Sequence, residues 1–133
     1  MSKSKSLAIL TLVLVALCLP AASIYAWQRN QLTSENEVAK QALNYLYDAP
    51  TFLFDGIRES VRILKVIQSM IFTSSSWLVN VEFDCSHTGY GDRSGEIVQQ
   101  MIQHHTAVLL LTDGKVTSMV IDNAWDELAD KLI

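Results

Sequence analysis

The residues best equipped for chemistry lie together at positions 84–95, DCSHTGYGDRSG. The stretch holds a thiol (Cys85), an imidazole (His87), three glycines and the pair Asp92-Arg93. Two apart on an extended strand, Cys85 and His87 project from one face. A thiolate beside an imidazole suits copper or zinc. A further ligand could come from His104 or His105, but adjacent strand residues point to opposite faces, so only one can reach. Cys85, His87 and His104 are the predicted metal set. The competing reading is core. Cys85 shares its face with Trp77, Val79, Val81 and Phe83, a buried lone cysteine behaves as a small hydrophobe, and His87 then lies at the rim. No CxxC, HxH or HExxH pattern supports a metal, so structure is the preferred reading and copper or zinc the alternative. A nucleophilic thiol needs exposure and a lowered pKa, and an apolar face offers neither.

The glycines of GYGDRSG permit backbone shapes in which amides converge on an anion. The GK[ST] ending of a phosphate loop is missing, and the stretch follows an antiparallel-type strand. The prediction is a tight connection between strands, with Asp92 capping backbone amides and Arg93 paired with Glu96 or solvated. Tyr90 at its tip could anchor a protein partner at little entropic cost. Tyr90, Asp92, Arg93 and Trp125 are the expected contact residues. Asp48, Asp55, Glu59 and Asp92 are scattered over turns without calcium-loop spacing and read as solvated surface. No catalytic residue is predicted.

Several elements must position these groups. Ser34-Glu35-Asn36-Glu37 has the form of a capping box, and Val38, Ala42, Tyr45, Leu46 and Ala49 form one apolar helical stripe. Pro50 ends that helix by disfavouring α geometry at Ala49. TFLFDGI (51–57) reads as an apolar segment with a glycine turn. Ser60–Phe72 reads as a strand that is bulged or buried on both sides. A turn follows at Ser74-Ser75-Ser76. Trp77–His87 alternates with period two, as a half-buried strand does. Thr106–Thr112 and Lys115–Asp122 flank Asp113-Gly114, suited to a type I′ hairpin. Asn123 is placed to cap a short helix carrying Trp125, Leu128, Ala129 and Leu132, which packs on the domain's own sheet or, as the alternative, docks on a partner. The predicted fold is α+β: an N-terminal transmembrane helix, one helix on a roughly four-stranded antiparallel sheet, and a short C-terminal helix.

Half of the residues are hydrophobic, which excludes a disordered chain. Residues 1–33 carry three cations and no acid, whereas residues 34–133 carry seven cations and fourteen acids, a net −7. An acidic domain repels phosphate backbones, so no nucleic-acid partner is expected. The leader is more specific. Lys3 and Lys5 precede residues 7–27, which contain no charge, and about 20 such residues cross a bilayer core. The lysines hold the N-terminus in the cytoplasm and Trp27 suits the interface. Residues 1–30 are therefore read as an anchor in the lipid bilayer, and 34–133 as an extracytoplasmic domain joined by a polar linker. The alternative is a signal peptide cut after Ser23, giving a secreted protein. Bulky Leu17 before Cys18 argues against lipid modification. Outside the leader Cys85 stands alone, so no intrachain disulfide supports the domain.

The order of elements over residues 34–122, with the hairpin TDGKVTSMVID, resembles small exported cystatin-like or PepSY-like domains. That resemblance implies a binding, inhibitory or accessory module. FDGI, GYGDRSG and AWDE also look similar to a small group of anchored archaeal proteins, a likeness that carries no activity. The functional expectation is a non-catalytic, membrane-anchored accessory or interaction subunit, touching other membrane or cell-surface proteins. The alternative is an extracytoplasmic metal or small-ligand binder using Cys85, His87 and a nearby histidine.

Overall fold

The computed structural model describes residues 34–69 and 76–133. The expectations for the leader (the anchor at 7–27, the cut after Ser23) and for residues 70–75 lie outside them. Among the described residues no helix is long and apolar enough to cross a membrane.

A helix over residues 34–48 (α1) begins at the capping-box serine and buries Val38, Ala42, Leu46 and, just past its end, Ala49. Ala49 is extended, with φ −70° and ψ 136°, as a residue before proline should be. Pro50 does more than end α1. Its fixed φ and missing N–H suit the first turn of a second helix, α2 (Pro50–Asp55), where a glycine turn was expected. Phe52 of α2 packs between Tyr47 and Phe83, with ring centroids 5.3 and 5.4 Å away. Gly56 follows because nothing larger fits: a Cβ there would stand 2.5 Å from the Phe52 ring.

Six antiparallel strands follow in sheet order β1 to β6: Gly56–Ser69, Ser76–His87, Gln100–Thr112, Lys115–Ile121, Trp125–Asp126 and Lys131–Leu132. The alternation of β2 appears as burial, with Trp77, Val79, Val81, Phe83 and Cys85 inward against α1 and α2. Ala107, Leu109, Leu111, Met119 and Ile121 complete that face. Burying each large side chain contributes roughly 1.5–3 kcal/mol. Asp113 and Gly114 both have positive φ, 50° and 75°, as a type I′ hairpin requires.

The predicted architecture needs correction. Although the fold is α+β, among the described residues two helices and six strands replace one helix, four strands and a terminal helix. The terminal stripe does not form a helix because Asn123 is not a cap. Asp122 and Asn123 take φ of 53° and 54° and close a turn through Ala124 N–H donating to Ile121 O at 3.0 Å. Trp125 then pairs with Ile121 and Leu132 across a small hairpin, leaving Leu128 and Leu132 exposed. Strand β1 is bulged, with register shifts between Ile57 and Arg62 and between Ile63 and Lys65, but it is an edge strand and is not buried on both sides. The Ser60 hydroxyl fills the first bulge, donating to Ile57 O and accepting from Asp84 N–H.

Candidate functional site

The segment 88–99 joins β2 to β3 and is stitched into the fold through residues 88–93 and Gln99. At its base Thr88 N–H donates to Gln99 O, and Gly89 N–H to the Gln103 side chain. Arg93 then turns inward and is only 3% exposed. Its Nη2 donates to Asp55 Oδ1 at 2.6 Å and its Nη1 to Gly89 O at 2.6 Å. The guanidinium carbon lies 4.6 Å from the Phe54 ring centroid, a cation–π stack. The other Asp55 oxygen accepts His87 N–H at 2.6 Å and lies 2.9 Å from His87 Nδ1. One carboxylate at the end of α2 thus ties together β2 and the connecting loop.

Two further carboxylates repeat the pattern. Glu127, 5% exposed, accepts from Thr51 N–H, Thr51 Oγ1 and Trp125 Nε1, each at 2.7 Å. Thr51 Oγ1 in turn accepts Gly91 N–H at 2.7 Å. Gly91 has φ +69°, and a Cβ there would meet Asp130 Oδ1 and the Trp125 ring at 3.0 and 3.1 Å. Only glycine suits both the conformation and the space. Asp122 accepts Thr106 N–H and the Tyr90 hydroxyl, and lies 2.7 Å from His105 Nδ1. The fully buried His105 ring sits between Phe83 and Tyr90, 5.3 and 5.4 Å from their centroids, and its Nε2 has no partner among the described residues. Burial first, and then Asp122, raises the Tyr90 phenol above its ordinary value.

The predicted metal set does not converge. Cys85 pairs with Gln103 and faces the core, whereas His104 pairs with Asp84 and lies on the opposite face. There His104 is 61% exposed, with Nδ1 2.8 Å from Asp84. A register shift between Cys85 and His87 leaves His87 on Asp55 at the rim. Among the described residues no group of three or more His, Cys, Asp or Glu side chains is arranged to hold a metal. The expected contact residues are also largely spoken for. Arg93 is buried on Asp55 and not on Glu96, while Tyr90 and Trp125 are stacked on each other at 5.6 Å and 8°. Asp92 alone of the four is exposed. Its Oδ1 accepts the N–H and hydroxyl of Ser94, and those bonds hold its carboxyl below the usual range.

Cys85 is fully buried, 3.7 Å from Thr51 O. Burial, reinforced by Asp55, pushes its thiol from 9.0 up to about 12. An alkylating reagent at pH 8 is therefore expected to leave Cys85 unmodified in the folded protein and to modify it fast in urea; equal rates would place the thiol outside the core. The raised value also sets a sign. The folded state resists losing a proton that the unfolded state gives up near pH 9, so the contribution is intact below pH 9 and declines as pH rises towards about 12.

The residues missed in the sequence are the acids. Asp55 and Arg93 are 38 positions apart and Thr51 and Glu127 are 76 apart, distances over which no local pattern operates. A signal did exist in the dipeptide Asp122-Asn123 after a strand, since both residue types tolerate positive φ. Comparison with protein-family models, curated proteins and solved structures finds no match to the chain.

Proposed function

We propose that the domain is a non-catalytic accessory or interaction subunit, tethered outside the cytoplasm by the apolar residues 7–27. One observation carries this reading. Most polar groups of the candidate site bind one another, with exceptions such as His105 Nε2 and Asp92 Oδ2, while large aliphatic side chains stand in solvent. Within the uncharged run 97–103, Ile97 and Ile102 are 106% and 68% exposed and Met101 is 51% exposed. They lie at and before the start of β3, which pairs with β2 from Gln100 but with β4 only from Ala107. Exposed aliphatic groups beside a partly unpaired strand suit a protein contact. The resemblance of the Thr112–Asp122 hairpin, TDGKVTSMVID, to PepSY-like modules supports the same reading.

The test places a single cysteine at Ile102 of the full chain and treats intact cells with a membrane-impermeant maleimide photocrosslinker. The expected result is labelling without lysis and a discrete crosslinked adduct, with no adduct from the exposed Thr117 used as control. Labelling only after lysis overturns the location. Labelling without an adduct overturns the interaction role.

A further inference from the structure

Turning Arg93 inward forces both of its neighbours outward. Asp92 and Ser94 are exposed and, with Pro50, Leu53 and Phe54, line a cleft of about 480 Å³. Ligand sites commonly occupy about 300–1,000 Å³. The cleft has two unlike parts. Pro50, Leu53 (69% exposed) and Phe54 give it an apolar wall from α2. At the rim Asp92 has Oδ1 fastened by Ser94, while its Oδ2 makes no hydrogen bond among the described residues. The nearby cation Arg93 makes its ion pair with Asp55 at 2.6 Å, so it acts on Asp92 only at longer range, and among the described residues no cation forms an ion pair with Asp92.

These unlike parts select the occupant. An anion is repelled by Asp92, and a neutral apolar group would strip water from an ionised carboxylate. A cation on an aliphatic stem satisfies both parts at once. The Phe54 ring already carries one guanidinium, that of Arg93, so its chemistry with such a group is visible in the structure. The net −7 of residues 34–133 draws a basic partner by long-range attraction. The geometry points to a docking cleft for one lysine or arginine side chain of a partner protein, its stem along Leu53 and Phe54 and its head at Asp92. The inference rests on the interaction role proposed above.

The test uses the full chain, 15N-labelled in detergent micelles, titrated with the end-capped peptide Gly-Gly-Arg-Gly-Gly. Saturable movement of the Leu53, Phe54 and Ser94 amide resonances is expected. A citrulline peptide of the same length, or the variant Asp92→Asn, should bind about 2- to 5-fold more weakly, the range of an exposed ion pair. Asparagine still accepts from Ser94, so the loop keeps its shape, and an unchanged melting temperature confirms it. No saturable movement, equal binding of the citrulline peptide, or full binding by Asp92→Asn overturns the proposal. Ethylguanidinium binding many-fold more tightly than the peptide would assign the cleft to free small cations and also overturn it. The Ile102 adduct is read independently, so losing the cleft and losing the interaction role are distinguishable results.

Discussion

Replacing Asp55 by alanine is expected to lower the melting temperature of the domain by about 12 °C or more. Arg93 would keep only its bond to Gly89 O and would sit 3% exposed with no counter-charge. Breaking a buried ion pair from one side costs about 3–5 kcal/mol, against a total stability of about 5–15 kcal/mol for a domain. Each kcal/mol shifts the midpoint of a domain near 100 residues by about 4–8 °C. His87 N–H loses its acceptor as well, which adds to the cost. The diagnostic comparison is the double variant Asp55→Leu/Arg93→Met, in which both charges are gone and the space is filled. It should recover most of the loss, because two apolar residues leave no stranded ion. Thermal unfolding followed by circular dichroism gives both values. A single-variant shift below about 4 °C, or a double variant no better than the single, would mean that water reaches Arg93 and that the loop is not locked as described.

The same contrast between local and distant determinants explains what could be read in the sequence. Strand β2 was legible because burial on one face writes a period of two into Trp77–Cys85 and nothing else is needed. The Asp113-Gly114 turn and the Pro50 stop were legible for a similar reason: each is decided within two to four residues. Helix α2 was not, and the structure shows why. No side chain near its N-terminus caps it; the cap comes from Glu127, 76 residues away. Arg93 reads from the sequence as paired with Glu96 or solvated because a charge in a glycine-rich loop usually finds a local partner or water. Asp55, its partner, lies on an element that had not been recognised. The terminal helix was a conflict between two valid periodicities. Trp125, Leu128 and Leu132 have helical spacing, but Trp125 gains more by stacking on Tyr90, and Asp126 Oδ1 accepts the N–H groups of Leu128 and Ala129 in a turn. The metal set is not brought together: His104 is one residue out of phase with the face that holds Cys85, the bulge takes His87 to Asp55, and His105, which is in phase, is bonded to Asp122.

Glu127 should prove the second large effect, and the form of the loss identifies its role. Both carboxylate oxygens accept: Oε1 from Thr51 N–H, and Oε2 from the Thr51 hydroxyl and Trp125 Nε1. Glu127→Ala leaves a buried helix-terminal amide and an indole N–H with nothing to receive them. At about 1–3 kcal/mol for each stranded group, the expected loss is about 2–6 kcal/mol. Glu127→Gln is the sharper probe. Its size is right, but whichever way the amide is turned, its NH₂ meets a donor, either Thr51 N–H or Trp125 Nε1–H. It should therefore lose about 1–3 kcal/mol despite near-identical shape. Urea unfolding of the three proteins should give a lower midpoint with an unchanged slope for both variants. If Glu127→Gln matched the parent, the negative charge would be irrelevant and the three 2.7 Å contacts would not be hydrogen bonds of consequence. The consequence reaches beyond stability. Thr51 links Glu127 to Gly91, so loosening the terminal turn frees the loop that carries Asp92, and Glu127→Ala should weaken the arginine peptide at the cleft even though Glu127 does not line it.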